Sequence, residues 1–242
     1  MMFKDIDDKK VILDSKRPLP EHAAKSIREK LLLDWTYNSN AIEGNTLTLI
    51  ETKVILEGIT IGGKTLREHL EVVNHREAIF YIENIARENE EFTKWKIKNI
   101  HRLILKGIND KYAGSFRDEQ IMKSGVGRMS PEPLLINEQM VNFIRWYNTK
   151  AKNLHPVERA AMVHTIFLGI HPFIDGNGRT SRLLLNLELM KNGYPPIVIK
   201  SENSFKYYSA LDKIHETGDN REFIELVKDE VNRTLDLYLK II

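Results

Sequence analysis

The chain has 242 residues, with 36 basic and 34 acidic side chains and a net charge of +2. This length suits one large domain or two small ones, and the balanced charge argues against a dedicated nucleic-acid or membrane surface. The absence of cysteine excludes disulfides and thiolate chemistry. Because the N-terminus also lacks the apolar run of a signal peptide and no stretch is long enough to span a membrane, we expect a cytoplasmic protein.

The first part of the chain is expected to be a helical segment. Residues 1–20 are charged and end in a proline-rich stretch, so we interpret them as a lead-in arm. Apolar residues at helical spacing predict a helix from Glu21 to about Asn38, and Gly44 ends it with Glu43 in the last turn. A carboxylate there meets the negative end of the helix dipole, which indicates a partner elsewhere.

A literal match to the P-loop pattern GxxxxGK[ST] runs from Gly58 to Thr65. A P-loop follows a buried parallel strand and opens a helix. Here the preceding residues predict a helix that starts with a capping box at Thr48. We therefore interpret the match as a helix–helix loop. The sequence has no HExxH motif or Cys/His cluster, so we assign no zinc site. Two further helices are predicted, Leu66 to Glu88 and Lys94 to Leu105.

The middle of the chain changes texture between Ala113 and Pro133. Glycine, serine and proline alternate with short apolar runs there, which predicts a β-hairpin or extended loop with its tip near Gly125. A later helix from Pro156 to Ile170 is apolar on most sides, so we expect it to be the central buried helix and His164 on it to be a core histidine. The remaining predicted helices are Pro133 to Lys150, Gly178 to about Asn192, Ser204 to His215 and Arg221 to Leu239.

The stretch from His171 to Arg182, HPFIDGNGRTSR, is the most informative part of the sequence. Gly176 and Gly178 allow backbone angles that gather N–H groups into an anion-binding nest, at the start of the helix that follows. Arg179 and Arg182 are three residues apart, share one face of that helix and can fork onto phosphate oxygens. These features predict a site for a polyphosphate.

The same stretch supplies a metal ligand and a base. Asp175 is a hard oxygen ligand suited to Mg²⁺. His171 titrates near neutrality and could take a proton from an attacking hydroxyl. The simpler alternative is a turn at Asn177-Gly178 with Asp175 as an N-cap. A turn does not need the histidine and both arginines, so the pattern favours a reactive site.

This stretch resembles the signature of the Fic family, HPFx[D/E]GNGRxxR, at every fixed position. From about Asn38 onward the chain is similar to the catalytic part of the endoplasmic-reticulum Fic enzymes of animals. The resemblance implies an all-α Fic fold, a helical bundle with one small β-hairpin flap. It implies an N-terminal inhibitory segment (residues 1–94), a catalytic core (residues 95–242) and a protein adenylyltransferase, which moves AMP from ATP to a Ser, Thr or Tyr hydroxyl of a protein.

The resemblance also implies roles for individual residues. Glu43 lies in a match to the inhibitory motif [S/T]xxxE[G/N] and would pair with Arg182, which blocks the productive pose of the ATP γ-phosphate. His171 would be the base, Asn177 would stabilise charge on the α-phosphate, and Asp175 would hold Mg²⁺. The implied nucleotide contacts are Lys123, Ser124, Gly125, Val126, Asp175, Gly176, Asn177, Gly178, Arg179, Arg182, Tyr207 and Tyr208.

Several alternatives stay open. The chain could remove AMP from modified proteins, use a donor such as CDP-choline or UTP, or be a non-catalytic binding module. Glu43 could be a solvated helix-end residue, the hairpin could lack a ligand, and one of the two tyrosines could be simple core. His215 stands where the family often has asparagine. Self-modification and homodimers, both frequent in the family, also remain open.

Overall fold

The computed structural model describes residues 2–121 and 130–242. Those residues form ten α-helices and no β-strand, which confirms the all-α prediction. None of the helices in these two ranges combines the length and the apolar character that crossing a membrane requires. The helices are α1 (Lys4–Ser15), α2 (Glu21–Ala41), α3 (Leu49–Leu56), α4 (Leu66–Arg87), α5 (Lys94–Leu105), α6 (Ile136–Asn148), α7 (Pro156–Ile170), α8 (Asn177–Lys191), α9 (Ser204–Thr217) and α10 (Arg221–Ile241).

Helices α7 and α8 pack against each other at the centre of the molecule. Leu183 and Leu187 of α8 enter a core shared with α2, α4, α5 and α6, whereas Leu185 and Leu189 enter a second core shared with α1, α9 and α10. A helix that is apolar on most sides is expected between two cores. The first core joins side chains from both sides of the boundary predicted at residue 94.

The prediction of a lead-in arm at residues 1–20 is wrong, because α1 is a helix packed against α10. Ile6 and Leu13 lie two turns apart on one face and are fully buried. Asp7, on the same helix, accepts hydrogen bonds from His155 and from the Tyr194 hydroxyl. Two buried apolar residues in a charged segment give too weak a periodicity to predict this helix from the sequence.

The ends of helices α2, α3 and α4 can be compared with the sequence predictions. Helix α2 ends at Ala41, so Glu43 lies in the turn after the helix and not in its last turn. The Gly58–Thr65 segment is a loop between α3 and α4, as predicted, and Thr65 forms a capping box with Glu68 at the start of α4. The capping box predicted at Thr48 is confirmed.

The β-hairpin predicted between Ala113 and Pro133 is not seen in the described part of that segment. One main-chain hydrogen bond joins the two described parts, in which Ser130 N–H donates to the Ile121 carbonyl over 3.0 Å. The backbone before it bonds elsewhere: Gly114 N–H donates to His101 and Arg117 N–H donates to the Pro172 carbonyl. Partners outside the segment therefore replace the ladder that a hairpin needs. The predicted tip lies outside the described residues.

Candidate active site

Helix α7 delivers His171 into the loop that connects it to α8. His171 adopts left-handed backbone angles, φ 51° and ψ 57°, which are uncommon for a residue other than glycine. Two hydrogen bonds from Arg117 hold this turn: Nε–H donates to the His171 carbonyl and the main-chain N–H donates to the Pro172 carbonyl, both over 2.9 Å. The sharp turn ends α7 and starts the signature loop.

The loop itself is fastened from within by Asn177. Its side-chain oxygen accepts from Phe173 N–H over 3.0 Å, and its Nδ2 donates to the Phe173 carbonyl over 2.8 Å. The Asn177 side chain is buried, so both ends of the amide are used on the loop backbone. Gly176, the residue before Asn177, has a φ of 77°, at which a residue with a side chain would be strained.

His101 of α5 holds the loop from outside. Its ring stacks on Phe173 with centroids 3.5 Å apart, and Gly114 N–H donates to its Nδ1 over 2.9 Å. Nδ1 is therefore the acceptor, and Nε2–H donates to the Asp175 carbonyl over 2.8 Å. Burial lowers the His101 pKa to about 4, so the ring stays neutral near pH 7 and keeps both bonds.

The carboxylate of Asp175 lies between two arginines. Arg67 Nη2 donates to it over 2.6 Å and Arg179 Nη2 donates over 3.2 Å. Burial opposes ionisation, but Arg179, the Gly176 N–H and Arg67 together hold the pKa of Asp175 below its usual range. The Arg179 side chain is 2% exposed and also lies 3.2 Å from Glu71, so it is held by two carboxylates.

Arg182 meets the turn that follows α2. Its Nη2 donates to Glu43 Oε1 and to the Ser39 carbonyl, both over 2.8 Å, and its Nε donates to Ser39 Oγ over 3.0 Å. Burial disfavours the charge of Arg182, yet Glu43 and the Tyr207 hydroxyl raise its pKa. The Glu43 side chain is 30% exposed. The pair predicted by the inhibitory motif is therefore formed.

Glu43 also reaches the tip of α8. A Cβ atom added to Gly178 would lie 2.2 Å from Glu43 Oε1, so the carboxylate lies directly against this glycine. None of the described side chains caps α8. The first N–H groups of a helix attract negative charge. The nest predicted at Gly176 and Gly178 is thus a place where one carboxylate already lies.

The two tyrosines of α9 differ in environment. Tyr207 is buried, and its hydroxyl lies 3.0 Å from His164 Nε2 and accepts from Arg182 over 3.4 Å. Burial raises the pKa of Tyr207 to about 12 and keeps that of His164 well below its usual value. Tyr208 is 43% exposed and donates to the Ile42 carbonyl over 3.3 Å. His164 is thus a buried core histidine, as predicted.

The structure brings most of the predicted residues to the tip of α8 and adds others. Residues Lys123, Ser124, Gly125 and Val126 lie outside the described residues. Sequence reasoning missed Arg67, Glu71, His101 and Arg117, because each meets the loop from a distant part of the chain. The signal that could have found Arg117 is an arginine in an otherwise small and aromatic run, Ala-Gly-Ser-Phe-Arg.

Comparison with known proteins decides the family. Residues 91–189 match the Fic/DOC family. A Fic domain containing signaling protein from Bacteroides thetaiotaomicron is 30% identical, with a TM-score of 0.91 over 98% of this chain and 96% of that one. The chain belongs to the Fic/DOC family. Fic-1 from C. elegans is 32% identical, with a TM-score of 0.88 over 100% of this chain and 71% of that one.

Curated relatives of this Fic chain carry an activity in their names. A protein of Aedes aegypti called protein adenylyltransferase Fic is 39% identical over 240 residues, which cover 98% of this chain and 47% of that protein. A protein of the same name from Culex quinquefasciatus is 38% identical over the same length. The chain thus spans about half the length of the curated relatives it matches.

Proposed function

We propose that this chain is a protein adenylyltransferase, which moves AMP from ATP to a Ser, Thr or Tyr hydroxyl of a protein and is restrained by Glu43. One observation carries the proposal: the first two turns of α8 hold Arg179, which pairs with Asp175, and Arg182, which pairs with Glu43, and the Glu43 carboxylate lies against Gly178. A helix N-terminus beside two arginines attracts a polyphosphate. The names of the curated relatives support the same activity.

In the proposed reaction, His171 accepts the proton of the target hydroxyl as its oxygen attacks the α-phosphorus of ATP. The bond from that phosphorus to the bridging oxygen breaks, pyrophosphate leaves, and AMP stays on the target oxygen. The N–H groups at the tip of α8 face the charge that develops, and such preorganised donors are worth about 3–4 kcal/mol each. Arg179 and Arg182 hold the β- and γ-phosphates, so positioning and charge neutralisation do most of the work.

The bonds of Asn177 refine its proposed role. Both ends of its amide bond Phe173, so we propose that it acts first by holding the loop in shape. The second hydrogen of Nδ2 leaves a donor for the α-phosphate, which stays a prediction. Loss of Asn177 should therefore affect stability as well as transfer.

Asp175 is the residue that would hold Mg²⁺. The described residues contain no group of three acidic or histidine side chains that could form a metal cage. A cage is not needed, because Mg²⁺ is usually held by one or two carboxylates together with substrate phosphates. The Asp175 side chain is 37% exposed, and Arg67, which bonds it here, is itself 57% exposed. When bound, Mg²⁺ neutralises charge on the phosphates.

We propose that residues 1–94 regulate the core formed by residues 95–242. Glu43 engages Arg182, and the γ-phosphate needs the same guanidinium, so the two compete. Lys123 to Val126 stay predicted nucleotide contacts in the flap, and Tyr208, half-exposed beside this turn, stays the predicted adenine neighbour. The cytoplasmic location, self-modification and homodimer formation also stay predictions.

Labelling of a cell lysate tests the proposed activity. The Glu43→Gly protein, incubated with α-labelled ATP, should label protein bands that the parent labels weakly or not at all. The matched control is Glu43→Gly combined with His171→Ala, which should bind ATP and label nothing. Absence of label and of pyrophosphate release in every variant would favour a binding module instead.

Two further assays separate the remaining alternatives. A nucleotide panel with the Glu43→Gly protein should give transfer from ATP and not from UTP or CDP-choline. The parent protein, incubated with AMP-modified target and no ATP, should leave the label in place. Its release would favour the reverse reaction, in which the Glu43 carboxylate orients a water molecule.

A further inference from the structure

Arg117 is a buried arginine whose charge is satisfied by main-chain carbonyls. Its side chain is 2% exposed. Its Nε donates to His171 O over 2.9 Å, its Nη1 to Glu119 O over 2.8 Å and its Nη2 to Pro131 O over 2.6 Å. A buried charge is costly unless its donors are hydrogen-bonded. The planar fork of an arginine can reach three carbonyls at fixed angles, which a lysine ammonium cannot copy.

The three carbonyls belong to two different parts of the chain. His171 begins the signature loop, whereas Glu119 and Pro131 belong to the described parts of the segment predicted as the flap. The Arg117 main-chain N–H also donates to Pro172 O over 2.9 Å. Arg117 therefore bonds two successive carbonyls of the loop and one carbonyl in each of the two described parts of the flap segment.

The hold on His171 matters because its backbone is in the left-handed region. Such a conformation persists only where the surrounding structure over-determines it. Asn177 and His101 fix the loop further along, at Phe173 and Asp175. Among the described residues, Arg117 is the side chain that bonds the carbonyl of the residue carrying the proposed base.

We propose that Arg117 is a positioning residue, which sets the backbone of His171. The inference rests on the proposed transfer reaction. The three side-chain hydrogen bonds of Arg117 all go to main-chain carbonyls, so its loss should move the base and leave the phosphate site at the tip of α8 intact. A misplacement of about 1 Å can cost on the order of a hundredfold in rate.

Kinetics in the Glu43→Gly background test this role. Arg117→Ala should lower kcat by about a hundredfold and leave the dissociation constant of ATP unchanged. Arg117→Lys, which keeps the charge without the fork, should fall between Arg117→Ala and the background. The matched control is Arg145→Lys, because Arg145 is exposed on α6 and its side chain donates to Asn142, away from the loop. It should leave both quantities as they are.

Chemical rescue separates positioning from general damage. Guanidinium ions at low concentration should restore part of the kcat of Arg117→Ala, since they can occupy the same three carbonyls. Urea at equal concentration should not restore the kcat of Arg117→Ala. Neither guanidinium nor urea should restore the kcat of His171→Ala. The proposal would be overturned if Arg117→Ala kept the kcat of the Glu43→Gly background. It would also be overturned if kcat and ATP affinity fell equally and guanidinium restored neither. If Arg117→Ala does not fold, the same criteria apply to the kcat and ATP affinity of Arg117→Lys.

A readout independent of activity distinguishes failure of this inference from failure of the proposed function. If the Glu43→Gly protein itself transfers nothing, the proposed function fails and the contact is judged by hydrogen exchange. Amides in residues 165–175 should then exchange faster in Arg117→Lys than in the background protein. Equal exchange would show that Arg117 does not set this backbone.

Discussion

The signature loop and the turn that carries Glu43 meet at the tip of α8, but they are held very differently. The loop is bonded along its backbone by Arg117, His101 and Asn177, all of them buried. Glu43 reaches α8 through one carboxylate oxygen on a side chain that is 30% exposed. The difference indicates that several buried side chains hold the loop, whereas the proposed restraint by Glu43 depends on one partly exposed carboxylate.

The largest expected effect is a loss of stability when the buried ion pairs of Arg179 are removed. Arg179→Ala would leave Glu71 and Asp175 without their shared buried partner. Removing one partner of a buried pair costs about 3–5 kcal/mol, so the free energy of unfolding from urea titration should fall by about that amount. The control is Arg145→Ala on the surface of α6. A loss below about 1 kcal/mol would mean that Arg67 compensates for both carboxylates.

Loss of the Glu43 contact should change the rate of transfer. A hydrogen bond to a charged group is worth about 1.5–3 kcal/mol, so freeing Arg182 by Glu43→Gly should raise the transfer rate by about tenfold to a hundredfold. Glu43→Gln should give a smaller rise, because its amide still fills the space against Gly178. Initial rates at ATP concentrations well below saturation measure both. Equal rates in Gln and parent proteins would assign the restraint to size and not to charge.

Asn177→Ala sharpens the contrast within the loop. It removes both bonds to Phe173 and leaves a buried N–H and a buried carbonyl unpaired, which costs about 1–3 kcal/mol. The free energy of unfolding should fall by that amount, and transfer should fall with it. Asn142→Ala, at an exposed site on α6, is the control. Unchanged stability would restrict Asn177 to a role in binding phosphate.

The smallest expected effect is a pH dependence near the Glu43 turn. Hydrogen bonds from Thr46 and from Thr65 lower the pKa of Glu68 from 4.5 to about 2. A depressed folded-state pKa stabilises the fold above the unfolded value and loses that contribution as the pH falls through the folded value. The stability advantage of the parent over Glu68→Gln should therefore shrink between pH 4.5 and about 2. A stability difference between parent and Glu68→Gln that stayed constant across that range would show that the Glu68 carboxylate is not the source of the pH dependence.

The sequence predicted the parts of the site that are local in the chain. The start of α8, the end of α7 at Ile170 and the pair of Glu43 with Arg182 follow from turn chemistry, helical spacing and a family motif. The residues that fasten the loop could not be predicted this way. His101 is 74 residues from Asp175 and Arg117 is 54 residues from His171, so no local pattern connects them.

Helix α1 and the segment predicted as the flap are two other places where the sequence pattern did not predict the structure. Ile6 and Leu13 supply too few apolar positions for a detectable period, and α10 provides the packing that makes the helix stable. Around Gly114, the composition suggested strands, but the main-chain N–H groups of Gly114 and Arg117 bond to a histidine ring and to the loop. Tertiary partners decided the structure in both places.

The absence of a side chain at Gly178 has a consequence for the proposed restraint by Glu43. A single methyl group there would occupy the space of the Glu43 carboxylate, at 2.2 Å from Oε1. Gly178→Ala should thus push the carboxylate of Glu43, the far end of a flexible side chain, away from α8, while also narrowing the approach of a phosphate. The contact between the two residues therefore depends on both of them, so natural variants are best compared at the two positions together.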